Sequence, residues 1–145
     1  MRDKILIALV VVAGVLSLGH FADHFARGDV PWPLTAESIP FILVVAIIYT
    51  IAGGGLYLYW TNRVGPGFWA IIAVLGAAFA WFGHFSPFTD QPPQHILHAY
   101  ASPAAGWLAL GCLIALALTL VILAIYAGYL WLGQGRASAA GRRAQ

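Results

Sequence analysis

The stretch AAGWLALGCLIALALTLVILAIYAGYLWL, residues 104–132, contains no charged side chain and no proline. A helix needs about 20 predominantly apolar residues to cross the hydrocarbon core of a bilayer, so this run predicts a transmembrane helix. The rest of the chain agrees, because 61% of its 145 residues are hydrophobic and only 8% are charged. Soluble domains carry about 25% charged residues. The sequence therefore predicts an integral membrane protein.

Three further segments are long and apolar enough to span the membrane. They are residues 5–21, 39–60 and 68–85. Turn-forming sequences separate them: NRVGPG at residues 62–67 and SPFTDQPP at residues 86–93 contain proline, which a helix interior does not tolerate. The segment QPPQHILHAY, residues 91–100, predicts a short helix at the membrane interface, with Asp90 as its N-cap.

The predicted fold is an all-α bundle of four transmembrane helices over residues 1–132, with the short interfacial helix before the fourth span. A polar, basic tail over residues 133–145 follows. The N-terminal segment also resembles a signal peptide with a cleavage site near Gly19. Phe21 and Phe25 continue an apolar helical face beyond that site, which favours a retained span.

The distribution of Lys and Arg predicts the orientation, since cytoplasmic loops of membrane proteins are enriched in these residues. With the N-terminus inside, only Arg27 of the seven basic residues lies outside. Both termini are then cytoplasmic, and we expect a multi-pass protein of a bacterial inner membrane. The inner basic residues are Arg2, Lys4, Arg63, Arg136, Arg142 and Arg143.

All five histidines fall on the predicted outer side of the membrane. The stretch GHFADHF, residues 19–25, places His20, Asp23 and His24 on one helical face, because residues three and four apart are neighbours on a helix. His84 ends the third span, and His95 and His98 precede the fourth. Three elements of the chain thus bring imidazoles to a similar depth.

Clustered imidazoles are ligands for zinc, copper or iron. We predict a transition-metal site here, with haem b as the alternative, held by His20 or His24 together with His84. The cofactor-binding candidates are His20, His24 and His84. The wider set of metal-ligand candidates is His20, Asp23, His24, His84, His95 and His98.

Other interpretations of the histidines stay open. Imidazoles at an interface can simply be hydrogen-bonded and solvated, or can handle protons. The protein could then be a non-catalytic scaffold subunit, or could bind an apolar small molecule between its helices. A net charge of +2 argues against a nucleic-acid surface. The lone Cys112 excludes a CxxC site, and the lack of charged residues at mid-span argues against an ion-coupled carrier.

Small residues within the spans predict close helix packing, which in lipid depends on van der Waals contact. We expect most of them to pack inside the bundle, with Gly111-x-x-x-Ala115 as the spacing typical of such contacts. The alternative is a face for a membrane partner or a second copy of the chain. The residues concerned are Gly53, Gly54, Gly55, Gly76, Ala77, Ala78, Gly111 and Ala115.

Overall fold

The structure is a computed structural model that describes residues 3–143, with side chains up to Arg136. Arg2, the last two residues of the predicted tail, and the side chains of Arg142 and Arg143 lie outside the described part. The helices are α1 (Lys4–Ala26), α2 (Ile39–Trp60), α3 (Pro66–His84), α4 (Pro93–His98) and α5 (Pro103–Arg143), and a 3₁₀ turn, Ala36–Ser38, leads into α2.

The prediction of an all-helical chain with four helices long and apolar enough to cross a membrane is confirmed. Those four helical segments are Lys4–Ala26, Ala36–Trp60, Pro66–His84 and Pro103–Arg136. Two boundaries differ from the predicted ones. Helix α1 continues more than one turn past residue 21, so GHFADHF is helical throughout, and α5 continues past Leu132 into the segment predicted as a polar tail.

Local chemistry explains where the helices begin. The side chain of Asp3 caps α1 by accepting a hydrogen bond of 2.8 Å from the backbone N–H of Leu6. Pro66, Pro93 and Pro103 start α3, α4 and α5, where the missing N–H of proline leaves no bond unmade. Helix α4 exists as predicted, but its N-cap is Pro92, so the expected capping role of Asp90 was wrong.

Helix α5 is the centre of the bundle. Helices α1 and α3 pack along it, α4 rests on its N-terminal part, and α2 contacts α1 over a small area. Large apolar side chains cover the outside of all four long helices, as expected for a surface in contact with lipid. The main core joins the start of α1 to the end of α2, to α3 and to the later half of α5. Its buried residues are Leu6, Val10, Tyr59, Trp69, Ala70, Ala73, Leu123 and Ala127.

Glycine permits close contacts along α5, and two of them lie in its N-terminal part. A Cβ on Gly106 would lie 2.8 Å from the backbone oxygen of Leu97, so only glycine lets α4 sit against α5 at this distance. On the facing helix, a Cβ on Gly19 would lie 3.2 Å from the sulfur of Cys112. Gly111, by contrast, has open space around its Cβ position. The expected packing of Gly111 inside the bundle was therefore wrong.

We predict that Gly106→Ala destabilises the bundle by about 1–3 kcal/mol, because the added methyl group must push α4 away from α5. The matched control is Gly111→Ala, whose methyl group meets nothing and which gains about 0.5–1 kcal/mol of helix propensity. Thermal unfolding of both variants in detergent measures the difference. Equal melting temperatures would show that the contact between Gly106 and Leu97 does not constrain the fold.

Candidate metal centre

Three imidazoles from two helices meet at one end of the bundle. His20 and His24 lie one turn apart near the end of α1, and His84 is the last residue of α3. One ring nitrogen from each lies within 4.8 Å of the other two. The Nε2 atoms of His20 and His84 are 3.0 Å apart. His24 and His84 are each only 7% exposed, so the group is largely shielded from its surroundings.

The second nitrogen of each ring indicates which atoms are free to bind a ligand. His84 Nδ1 donates to the backbone oxygen of Gln91 at 3.2 Å, which leaves the Nε2 lone pair free. His24 Nδ1 lies 3.1 Å from a carboxylate oxygen of Asp29. The guanidinium Nη2 of Arg27 lies 3.2 Å from the same nitrogen and can only donate. When His24 Nδ1 donates to Asp29, it carries the proton and Nε2 is again free. Carboxylates and backbone oxygens bound to the far nitrogen are the usual supports of metal-binding histidines.

His20 has the least satisfied environment of the three. If its Nε2 donates to His84, its Nδ1 is an unprotonated nitrogen, and this buried atom has no hydrogen-bond partner among the described residues. The nearest charged group is a carboxylate oxygen of Asp23 at 3.9 Å. If instead the Nε2 atoms of His20 and His84 both bind one cation, the proton of His20 moves to its Nδ1 and faces the carboxylate of Asp23. A bound metal ion would therefore satisfy all three rings at once.

The charged residues around the histidines form one connected group. The guanidinium of Arg27 is fully buried and lies 2.8 Å from a carboxylate oxygen of Asp23 and 2.8 Å from one of Asp29. The other oxygen of Asp23 accepts from the hydroxyl of Tyr100 at 2.6 Å. Two carboxylates against one guanidinium leave a formal charge of −1 beside three imidazoles, which favours a cation at their centre.

The remaining predicted ligands do not join the three histidines. Both oxygens of Asp23 are engaged by Arg27 and Tyr100, so Asp23 supports the site from outside. His95 is exposed and meets the cluster only through Asp29, at 3.4 Å. His98 is exposed and lies outside the group. Among the described residues, His20, His24 and His84 alone have the spacing that one metal ion requires.

Sequence reasoning missed four residues that surround the imidazoles: Arg27, Asp29, Gln91 and Tyr100. One signal was available, because Arg27 follows Asp23 by four residues and is the single basic residue on the predicted outer side. The others reach the site through turns whose course the sequence does not fix.

The distances between the ring nitrogens distinguish a single metal ion from haem b as the bound group. Nitrogens bound to one tetrahedral ion with bonds of about 2.0–2.1 Å lie about 3.3 Å apart, and nitrogens on opposite sides of an ion lie about 4 Å apart. The 3.0 Å between His20 and His84 is close to the first value. A haem ring between these two nitrogens would need the second value and room for a macrocycle. The 3.0 Å spacing does not fit haem held between His20 and His84. The three nitrogens lie within 4.8 Å of one another, and the widest of these separations must shorten for all three to bind one ion.

The three histidines also line one end of a cleft of 720 Å³ between α1, α2 and α3. Its other walls are mostly aliphatic and aromatic, with Phe79 and Ile47 among them. An ion at the histidines would therefore have a side that faces an apolar space.

Comparison of the chain with protein-family models, with curated proteins and with solved structures finds no match.

Tyr100 holds the loop between α4 and α5 to the charged group. Burial, together with its hydrogen bond to Asp23, raises the pKa of Tyr100 to about 12. The phenol is thus protonated at neutral pH and acts as a donor. Because the pKa in the folded protein lies above the ordinary value of 10.0, the stability that this bond supplies is complete below pH 10 and is lost as the pH rises towards 12.

We predict that Tyr100→Phe lowers the free energy of unfolding by about 1.5–3 kcal/mol, because a buried carboxylate oxygen of Asp23 loses its donor. Tyr57→Phe is the control, since Tyr57 is 66% exposed, and it should change stability by less than about 0.5 kcal/mol. Thermal unfolding at neutral pH tests both variants. Equal losses would contradict the assigned role of Tyr100.

Proposed function

We propose that this membrane protein binds one transition-metal ion through His20, His24 and His84, and that the ion presents an open coordination position to the cleft. The observation that carries the proposal is the convergence of three imidazole nitrogens within 4.8 Å. Two of the rings are anchored through their far nitrogens by Asp29 and the backbone of Gln91. Three histidines with a free fourth position are typical of zinc sites that act on a ligand, rather than of structural sites.

The donor set favours zinc or copper. Neutral imidazole suits both ions, whereas calcium and magnesium prefer oxygen ligands. Iron in the common non-haem sites needs a carboxylate ligand beside two histidines. The nearest carboxylate, Asp23, is engaged by Arg27 and Tyr100. A bound ion of this kind would supply a Lewis acid that polarises an oxygen of its ligand.

The residues of the chain prepare the site for that chemistry. The Gln91 carbonyl fixes the proton of His84 on the nitrogen that faces away from the ion, and Asp29 favours the same arrangement for His24. Arg27 keeps the two aspartates apart and lowers their mutual repulsion. Asp23 lies where it can accept the Nδ1 proton of His20 once that nitrogen is protonated. We infer that the site is a metal-dependent centre for binding or converting a small molecule.

We further propose that the histidine end lies outside the cytoplasm of a bacterial cell. The supporting observation is the charge distribution: Lys4, Arg63 and Arg136 belong to the opposite end of the bundle. We expect a green fluorescent protein fused to the C-terminus to fluoresce and an alkaline phosphatase fused there to be inactive. An active phosphatase with a dark fluorescent fusion would reverse the orientation.

We predict that protein purified without chelator and without a histidine tag carries about one zinc or copper ion per chain. Replacement of any one of the three histidines by alanine should abolish stoichiometric metal, because two imidazoles hold the ion far more weakly. Elemental mass spectrometry of the purified protein in detergent measures this content. Asp29→Asn should retain the site but weaken it about 10–100-fold, since it removes the anchor of His24.

The matched control is His98→Ala, which removes an exposed imidazole outside the group and should leave metal content unchanged. A visible spectrum of the same sample should show no Soret band. Metal-free protein that takes up no added zinc or copper would overturn the proposal. Together with a stably co-purifying partner, that result would favour a scaffold subunit.

A further inference from the structure

The cleft beside the histidines lies where helix α2 stands away from α3. Helix α2 is held at its two ends: Phe41 stacks on Phe21 of α1 with ring centroids 5.7 Å apart, and Gly55 lies against Phe68 of α3. Between these points the helices separate. Ile47 on α2 and Phe79 on α3 both line the cleft, and they are 57% and 62% exposed. The cleft is therefore open at the apolar surface that faces lipid.

The dimensions of the cleft suit one hydrocarbon chain. Its walls include Trp69 near the start of α3 and His84 at its end, which at 1.5 Å per residue are about 22 Å apart. A volume of 720 Å³ over this length gives a mean cross-section of about 33 Å². A chain whose carbons keep about 4 Å from their neighbours needs roughly 20 Å². The cleft is therefore long and wide enough for one extended chain.

Most polar groups of the cleft lie at one end, and the hydroxyls of Ser17 and Tyr49 farther along are hydrogen-bonded to each other at 3.4 Å. His20, His24 and His84 lie at the polar end, and Asp29 and Glu37 add two carboxylates from the first loop and the turn before α2. Along α2 and α3 the walls are aliphatic and aromatic. A molecule that fills this space therefore needs one polar end and a long apolar body. The neighbouring carboxylates disfavour an anionic head group, whereas an uncharged oxygen can accept from an imidazole or bind a metal ion.

We infer that the cleft takes up a neutral, single-chain amphiphile from the bilayer, with a hydroxyl or carbonyl head at the histidines and its chain between α2 and α3. Long-chain alcohols and alkyl-substituted quinones both carry this chemistry. The inference rests on the proposed function only for its polar end, where the open position of the ion would meet the oxygen of the head group.

The test uses the full chain in lipid nanodiscs and a hexadecanol probe that carries a mid-chain diazirine and a terminal alkyne. We expect saturable photolabelling, with cross-links on cleft-lining residues of α2 and α3 such as Ile47 and Phe79. Unlabelled hexadecanol or decylubiquinone should compete, and the stronger competitor identifies the preferred head group. Hexadecane lacks a head group and palmitate is anionic, so both should compete poorly.

A pair of glycine variants tests whether the bound chain lies in the cleft. A side chain on Gly14 would meet no other atom at its Cβ and would project from the wall of the cleft, so Gly14→Leu should block the chain without disturbing helix packing. We expect it to weaken labelling about tenfold, as a bulky residue in a filled site does. Gly53→Leu adds the same side chain at an exposed position outside the cleft and should label as the wild type does.

Labelling that does not saturate, that Gly14→Leu leaves unchanged in a folded protein, or that hexadecane prevents as well as hexadecanol does, would overturn the inference. Metal content is measured on the same samples, so the two proposals fail separately. Specific labelling of metal-free protein would retain the cleft ligand and discard the ion. Stoichiometric metal with no saturable labelling would retain the ion and discard the cleft ligand.

Discussion

The buried guanidinium of Arg27 is held between Asp23 and Asp29, and the histidine end of the bundle depends on this interaction. Charges near the hydrocarbon region are costly unless they are paired, and removal of one partner from a buried pair commonly costs about 3–5 kcal/mol. Arg27 extends from the last turn of α1 and holds the residues after that helix close to it. The pairing therefore sets the position of Asp29.

The histidine geometry follows from this pairing. Asp29 and Arg27 both lie against Nδ1 of His24, and the Tyr100 hydroxyl ties Asp23 to the loop before α5. The Gln91 carbonyl accepts a hydrogen bond from Nδ1 of His84 and so fixes the proton of that ring on Nδ1. Elements that are distant in sequence thus converge on imidazoles that belong to only two helices. Such hydrogen bonds to carboxylates and backbone oxygens are the usual supports of metal-binding histidines.

A second constraint comes from uneven packing. Helices α1, α3 and α5 make close contacts that small residues permit, whereas α2 is held mainly near its ends. In a bilayer, lipid is as apolar as the helix surfaces, so no hydrophobic effect closes the gap between α2 and α3. The gap becomes an apolar space that ends at the polar cluster. The candidate metal centre and the candidate ligand cleft are two consequences of one arrangement of helices.

The sequence by itself determined the membrane-spanning character, the four long helices and the shared face of His20, Asp23 and His24, because composition and helical period are local properties. The tertiary structure decided that His84 joins His20 and His24, that Asp23 turns to Arg27 and Tyr100, and that His95 and His98 lie outside the group. It also decided that Gly19 and Gly106 form close contacts while Gly111 does not. The physical reason is that helix rotation and separation in lipid depend on packing between residues far apart in the chain, and spacing along the sequence does not encode that packing.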